Sequence, residues 1–432
     1  MTQKQNSNVP AIIVCILLFG MISFVTNLAS PMGDVLKFYL AGQEIAIPNW
    51  MATLGVFCNF IAYAVMGIPG GTLLSKYGYK KTALLAVLIG FVGVGIQTIA
   101  GLLGGVTAFG VYLLGAFVAG FSMCLLNLVV NPMLNKLGGG GNRGNQLVQV
   151  GGSFNSLMGT AVIFLTGVFV PEIAKAQISQ VFPLMGIALA IFAVAFVVIL
   201  LTKIPENPSV DSKVAEKSKY GPMSFRHFVL GAIAIFIYVG VEVGIPNVLQ
   251  KWLQNGGLSV TEGAEAIAGT VTATYWLLML VGRLLGAAIG AKVSAKAMLT
   301  AVSVLGLGLV LGAMFLEPTA VNLPVFKGTE GFGLAEVPVN AALLVLCGLC
   351  TSVMWGGIFN LAVEGLGKYT EKGAGIFMAM VCGGGILPLL QNYVVDLKGY
   401  LPSYWVIVVG LAYLLFYALV GSKNVNKNIP TE

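Results

Sequence analysis

Long apolar runs separated by short polar segments make up almost the whole chain. About 20 apolar residues are enough for a helix to cross the hydrocarbon core of a bilayer. Twelve stretches meet that requirement: 11–38, 49–75, 82–104, 107–135, 146–170, 180–202, 227–254, 264–291, 295–316, 337–366, 373–396 and 402–421. The pattern predicts an all-α polytopic membrane protein with twelve transmembrane helices and both ends on one side.

Composition supports this prediction and excludes a soluble fold. Hydrophobic residues make up 57% of the 432 residues, charged residues 9%, and the mean hydropathy is +0.92. A soluble domain carries about 25% charged residues. The net charge of +7 is therefore interpreted as a consequence of membrane topology, and no nucleic-acid partner is expected.

The distribution of Lys and Arg predicts the orientation. Seventeen of them lie on the side of the two ends, and four lie on the other: Lys175, Lys251, Lys327 and Lys398. Positively charged loops stay in the cytoplasm. We therefore expect a multi-pass protein of the bacterial cytoplasmic (inner) membrane, in contact with the lipid bilayer. Both termini are expected in the cytoplasm.

One long polar segment, 203–225, divides the spans into six and six. This division predicts an N-terminal six-helix bundle (1–202), a cytoplasmic linker (203–225) and a C-terminal six-helix bundle (226–432). The stretch 317–336 is the largest loop expected on the opposite side.

A weak internal repeat supports two related halves. Asn127-Leu-Val-Val in span 4 is similar to Asn360-Leu-Ala-Val in span 10, and each precedes a Gly-Gly pair by a similar distance. Repeats of this kind are typical of secondary transporters, whose substrate sites lie at the repeat interface near the midplane.

Amide side chains within apolar spans indicate where such a site would lie. Asn27 and Asn127 are costly at membrane depth unless they face a cavity or a polar partner. Asn131 lies one turn after Asn127 and shares its helix face. Asn131 also precedes Pro132, so it could instead satisfy a backbone group that the proline frees. Asn155 is a further midspan amide.

Few carboxylates lie within the spans. Glu242 is the acid in the middle of the run IFIYVGVEVGIP and is the expected proton-coupling residue, with a structural hydrogen-bonding role as the alternative. Asp34 is the second candidate, with Lys37 as its expected ion partner. Asp396 and Glu364 are expected to be solvated surface charges.

The chain offers little for catalysis or metal binding. Its one histidine, His227, is expected at the mouth of span 7 in a surface role, and its six cysteines all lie in apolar stretches. No His, Asp or Cys cluster emerges, so neither an enzyme nor a metal or other cofactor is expected. Arg283, in span 8, is expected to neutralise an acid or to cap helix carbonyls.

Several stretches resemble one branch of a known family. They are FNSL (154–157), YVGVEVGI (238–245), YWLLMLVGR (275–283), IFNLAVEGLGKYT (358–370) and GGGILPLLQ (383–391). Together they resemble the fucose/galactose/glucose permease branch of the major facilitator superfamily. The loop from Gly71 to Lys80 also resembles the superfamily pattern after span 2, with Ser75 where an Asp is usual.

The resemblance implies a major facilitator fold, with two pseudo-symmetric six-helix bundles, acting as a monomer. It implies import of a hexose or related sugar by alternating access, with proton symport. Asn27, Asn127 and Asn155 would occupy sugar- or proton-contacting positions, the first two replacing an Asp and a Glu, and Gln149 would match a family Gln. Sugar hydroxyls suit amides and aromatic rings, so the remaining candidate substrate contacts are Asn131, Asn247, Tyr275, Trp276, Trp355, Asn360 and Asn392.

Three alternatives stay open. The replaced acids leave room for an uncoupled carrier or for sodium coupling, and the extra amides are compatible with an acetylated amino sugar or a sugar acid. Trp276 and Trp355 could pack between helices or face lipid rather than contact a ligand.

Overall fold

The computed structural model describes residues 9–138, 141–170, 178–204, 220–259, 263–289, 293–327, 331–426 and 428–430. Twelve segments of this part are long and apolar enough to cross a membrane, which confirms the predicted number of spans. We number them 1 to 12 in chain order. Most of the expected linker lies outside the described residues.

The spans are built from α-helices that follow the apolar runs of the sequence. Their bounds are Val9–Ala41, Leu54–Ala100 (spans 2 and 3), Gly105–Leu137, Gly141–Phe169, Phe182–Leu201, Arg226–Trp252, Ala264–Ile289, Ala295–Phe315, Val339–Thr351 with Met354–Val363 (span 10), Thr370–Met380 with Gly383–Lys398 (span 11), and Trp405–Phe416. A short helix, Asn49–Ala52, lies between spans 1 and 2. One turn of π-helix, Leu253–Gly257, ends span 7.

Spans 2 and 3 are joined by a sharp turn at Gly78. Its φ of 76° lies in the left-handed region, which glycine adopts without a steric penalty. This residue belongs to the loop that resembles the superfamily pattern, so the turn explains why a glycine occurs there.

Span 11 is interrupted at residues 381–382 and resumes at Gly383. A Cβ atom on Gly383 would stand 1.9 Å from the backbone oxygen of Phe236 in span 7, and one on Gly385 would stand 2.9 Å from Cα of Phe57 in span 2. The glycines therefore let span 11 fit closely between a span of the first half and one of the second.

The two faces of the bundle differ in their connections. Span 6 ends at Leu201 and span 7 begins at Arg226 on one face, which we call the linker side. A β-hairpin lies on the other, here the hairpin side. Strands β1 (Ala320–Phe326) and β2 (Phe332–Pro338) pair antiparallel, from Ala320 opposite Pro338 to Phe326 opposite Phe332. The stretch 317–336, expected to be a loop, thus contains β1 and most of β2.

The first six and last six spans meet along a seam where span 5 packs on span 8 and span 2 packs on span 11. The hairpin adds a contact on its own side. Phe326 and Phe332 lie 5.4 and 6.1 Å from the ring of Phe164 in span 5, measured between ring centroids. A segment between spans 9 and 10 therefore rests on the first half of the chain.

Candidate functional site

Polar residues form a stripe along one face of span 1. Ser23, Asn27, Ser30 and Asp34 recur every three or four residues, which places them on one side of the helix. The stripe runs from the middle of the span toward the hairpin side. On span 7, Asn247 and Lys251 are likewise one turn apart.

These two stripes meet on the hairpin side. Asn247 donates a hydrogen bond from Nδ2 to Ser30 Oγ at 2.6 Å. Asn392 of span 11 donates to Asn247 Oδ1 at 2.8 Å and accepts at Oδ1 from Lys251 Nζ at 3.0 Å. Both predicted amides are buried here, and the bonds link the two halves of the chain.

Lys251 is the centre of this arrangement. Its Nζ donates to Thr53 Oγ1 at 2.7 Å and lies 3.5 Å from Asp34 Oδ1, and its side chain is 2% exposed. We refer to Ser30, Asp34, Thr53, Asn247, Lys251 and Asn392 as the hairpin-side network.

This geometry corrects two sequence-based expectations. Lys251 is a buried ion partner rather than a loop charge; its spacing of four from Asn247 was the signal that could have found it. Lys37 was the wrong partner for Asp34, because its Nζ donates instead to Asn49 Oδ1 at 2.7 Å.

Asp396 reinforces the same face. Its carboxylate accepts bonds from the Asn49 backbone N–H at 3.1 Å, Asn49 Nδ2 at 2.8 Å and the Trp50 backbone N–H at 3.0 Å. It is exposed, as expected, but it ties span 11 to the connection between spans 1 and 2. Burial, together with the nearby Asp34 and Asp396 carboxylates, raises the pKa of Tyr400 to about 12, so this phenol is neutral.

A second ion pair lies nearer the linker side. Glu242 Oε1 stands 3.5 Å from Arg283 Nη2, and each side chain is 13% exposed. Arg283 Nη1 also donates to the backbone carbonyl of Gly152 in span 5. The arginine thus neutralises an acid and caps a helix carbonyl at once, and the second contact crosses the seam.

Asn27 faces the seam between spans 5 and 8. Its Nδ2 donates to the Ser23 backbone carbonyl at 2.9 Å and to Ser23 Oγ at 3.0 Å. Asn27 Nδ2 and the Trp276 ring both lie within 3.4 Å of a Cβ built on Gly159. Trp276 is buried and packs edge-to-face on Tyr275, so it lies between helices rather than in lipid.

Tyr275 is fully buried. Its hydroxyl donates to the Glu242 backbone carbonyl at 3.1 Å and shares a 3.0 Å hydrogen bond with Thr351 Oγ1. These hydrogen bonds join spans 7, 8 and 10. Tyr275, predicted to contact the substrate, thus holds the backbone of span 7 at Glu242.

Asn127 and Asn131 behave differently. Asn127 Nδ2 donates to Tyr63 Oη at 2.9 Å, linking spans 4 and 2. Asn131 Nδ2 donates to the Asn127 backbone carbonyl at 2.9 Å, within its own helix. The bond stays within span 4, but it is not the one expected under the structural alternative, because Pro132 frees the Leu128 carbonyl rather than that of Asn127. Tyr63 was missed because a lone tyrosine in an apolar run carries no pattern.

The other predicted residues lie between the middle of the bundle and the linker side. Asn155 Nδ2 donates to the Phe19 backbone carbonyl of span 1 at 2.9 Å. Trp355 is half-buried and lies edge-to-face against Tyr238, while Asn360 is exposed. Gln149 falls within the helix of span 5, but its side chain lies outside the described residues.

Accessibility therefore divides the polar residues into two groups. Asp34, Asn247, Lys251 and Asn392 on the hairpin side are buried, at most 5% exposed. Residues from the middle to the linker side keep accessible surface: Asn27, Asn127, Asn131, Asn155, Glu242, Arg283 and Asn360. Protein therefore covers these four hairpin-side residues, while Ser30 of the same network is partly exposed.

Two further features concern His227 and metal binding. His227 is buried, contrary to the expected surface role, and its Nε2 lies 2.8 Å from the Glu364 backbone carbonyl. Across the residues that the structure describes, no group of three His, Cys, Asp or Glu side chains could hold a metal ion.

Comparison with known proteins identifies relatives over nearly the full length. The sequence pattern of the Major Facilitator Superfamily matches residues 11–388. The chain is 28% identical to a glucose/galactose transporter of Brucella abortus, covering 98% of this chain and 97% of the relative. It is 22% identical to the L-fucose-proton symporter of Escherichia coli, covering 93% and 90%.

Solved structures give the same fold. A crystal structure of the E. coli fucose:proton symporter matches with a TM-score of 0.70 at 18% identity, covering 97% of this chain and all of that one. A D-xylose-proton symporter matches with a TM-score of 0.69 at 12% identity, covering 98% of each chain.

Proposed function

Because the chain belongs to the Major Facilitator Superfamily, we propose that it imports a hexose or closely related sugar by alternating access, coupled to protons. The observation that carries this proposal is its full-length similarity to relatives described as glucose/galactose transporters. No reaction is catalysed in this proposal; the cargo crosses the membrane unchanged.

The site chemistry supports a neutral polyol as the cargo. Asn27, Asn127 and Asn155 offer amides, and each already uses Nδ2 for a protein contact. Amide oxygens can accept from sugar hydroxyls. Arg283 is engaged by Glu242 and by Gly152, so it is not free to bind an acidic cargo. A neutral sugar therefore suits the site better than a sugar acid.

The two acids suit a role in coupling. A carboxylate at membrane depth is costly and is kept where it moves an ion or pairs with a cation. Glu242 and Asp34 each pair with a cation, and each pair lies beside a contact between the halves. A proton on either acid would remove an ionic attraction there, so proton binding would bias the conformational change.

Alternating access requires two units that move against each other. We assign them to residues 1–202 and 226–432, with 203–225 as the linker. With the linker side in the cytoplasm of a bacterial inner-membrane protein, the buried hairpin-side network represents a closed outer gate, and the present state faces inward. One chain supplies both units, so a monomer suffices.

The test is uptake of labelled glucose, galactose and fucose into proteoliposomes, with and without an inward proton gradient. We expect accumulation above equilibrium only with the gradient. If the sugar only equilibrates across the membrane, whatever the proton or sodium gradient, the protein is a uniporter. If a sodium gradient drives accumulation of the sugar, the coupling ion is sodium rather than the proton. Absence of hexose flux, with N-acetylated amino sugars carried instead, would overturn the substrate assignment.

A further inference from the structure

The buried ammonium of Lys251 is unexplained by sugar recognition or by topology. Its Nζ contacts Thr53 Oγ1, Asn392 Oδ1, the Asn49 backbone carbonyl at 3.4 Å and Asp34 Oδ1. Lys251 belongs to span 7, in the second half of the chain, whereas three of these four partners belong to the first half. The side chain therefore crosses between the halves where the hairpin side is sealed.

Asp34 is poorly satisfied apart from this contact. It is 3% exposed, and within the described part of the chain its Oδ2 has no hydrogen-bond partner. Removing one member of a buried ion pair leaves an uncompensated charge, which costs far more than the net value of the pair. The closed arrangement therefore depends on Asp34 being ionised and Lys251 being present.

We propose that Lys251 is a latch: its pairing with ionised Asp34 holds the hairpin side closed, and protonation of Asp34 releases it. This inference rests on the proposed transport function. When the hairpin side opens, the pair separates and Asp34 becomes reachable by protons from that side. The protonated carboxyl no longer attracts the ammonium, so the gate stays open until a cargo draws the halves together.

The other charged and titratable groups around Asp34 are bound elsewhere or are neutral. Lys37 of span 1 is bound to Asn49, and Asp396 of span 11 is bound to the connection between spans 1 and 2. Tyr112 of span 4 donates to the Ala29 backbone carbonyl, and Tyr400 is neutral. Lys251 is thus the cation in direct contact with the Asp34 carboxylate, which makes this pair the pH-sensitive contact.

The test measures the conformation of the full-length protein without any sugar. Spin labels replace Leu102 and Glu317, exposed positions on the hairpin side of the two halves, after the six native cysteines are replaced. Electron–electron distance measurements in lipid nanodiscs then compare about pH 8 with about pH 5, a range that brackets titration of a perturbed carboxyl. We expect the longer, open distance to gain population on acidification, by up to about tenfold per pH unit for one proton.

Variants distinguish the latch from a general structural role. Asp34→Asn should populate the open distance at both pH values and lose the pH response. Lys251→Met should populate the open distance at about pH 8, where Asp34 is an uncompensated charge, and should not open further on acidification. Lys251→Arg keeps the positive charge and should therefore keep the closed distance at about pH 8 and the pH response of the wild type. Lys398→Met removes a positive charge from an exposed position on the same side and should behave like the wild type.

Two results would overturn the inference. One is an Asp34→Asn protein that stays closed at both pH values. The other is a pH response that survives in Asp34→Asn, which would assign the sensor to another group, such as Glu242. Both readings are independent of sugar uptake, so a failed substrate assignment leaves the latch test intact, and a failed latch leaves the substrate assignment intact.

Discussion

The carboxylate of Glu242 lies 3.5 Å from the guanidinium of Arg283, and the same guanidinium donates to the backbone carbonyl of Gly152 across the seam. An acid in span 7 is thereby connected to span 5 of the other half through one side chain. Neutralising Glu242 changes what holds Arg283, and Arg283 is part of what holds the halves together.

The first prediction concerns coupling. In Glu242→Gln the side chain cannot bind and release a proton near neutral pH, so gradient-driven accumulation of sugar should fall to equilibrium. Exchange of labelled for unlabelled sugar, which needs no net proton movement, should persist. Both are measured in the same proteoliposomes. Glu364→Gln, at an exposed linker-side position, is the matched control and should accumulate sugar normally. Accumulation that survives in Glu242→Gln would exclude this residue as the coupling acid.

The second prediction concerns stability. Arg283→Met leaves the Glu242 carboxylate, whose side chain is 13% exposed, without its partner, and breaking such a largely buried pair costs up to about 3 kcal/mol. The midpoint of thermal unfolding in detergent should therefore drop clearly. The double variant Glu242→Gln/Arg283→Met should recover much of the loss, because no unpaired charge remains. Lys296→Met, which loses only an exposed bond to the Leu419 carbonyl, should unfold near the wild-type temperature.

Recovery in the double variant is the informative outcome here. If the two substitutions are simply additive, Glu242 and Arg283 are energetically independent despite their distance.

The third prediction separates two amides on one helix face. Asn127 contacts Tyr63 of another span, whereas the hydrogen bonds of the Asn131 side chain within the described residues go to Asn127 in its own helix. If Asn127 accepts a bond from sugar, Asn127→Ala should raise the Kd by about tenfold, the equivalent of one hydrogen bond of about 1.4 kcal/mol. Asn131→Ala should change it by less than about threefold. Isothermal titration with glucose and galactose measures both, and equal losses would refute the distinction.

The fold was predictable because a bilayer restricts the choices. Every backbone polar group in hydrocarbon must be paired within the protein, and an apolar run of about 20 residues has the length of a spanning helix rather than of a barrel strand. Breaks within spans were harder to foresee. The interruption before Gly383 depends on the approach of Phe236 from another span, and local sequence does not report that distance.

Residue type drew attention to several polar side chains, but it did not predict their pairing. Asn247 and Asn392 were selected because amides suit sugar hydroxyls, yet nothing local indicates that Asn392 donates to Asn247 and accepts from Lys251. Lys251 was misassigned because a lysine near a span end usually extends to the interface. Its burial becomes visible only when Asp34, 217 positions earlier, is placed opposite it.

The last prediction concerns the hairpin. Phe164 contacts Phe326 and Phe332, which themselves lie 5.2 Å apart, and the Phe326 backbone N–H donates to Thr270 Oγ1 at 3.3 Å. Aromatic pairs contribute about 1 kcal/mol each beyond area burial. Phe164→Ala removes two of them, so local opening of the hairpin should become easier by about tenfold or more.

Hydrogen exchange read by mass spectrometry on peptides from 320–338 measures this opening. Phe315→Ala is the matched control, because Phe315 lies at the hairpin-side end of span 9 but packs on Trp405 instead of on the hairpin. Faster exchange in Phe164→Ala, with the control unchanged, would mean that docking on span 5 stabilises the hairpin. Unchanged exchange in both variants would mean that β1–β2 pairing and the Thr270 contact are enough to stabilise the hairpin. The hairpin could then separate from span 5 without unfolding when the two halves move apart.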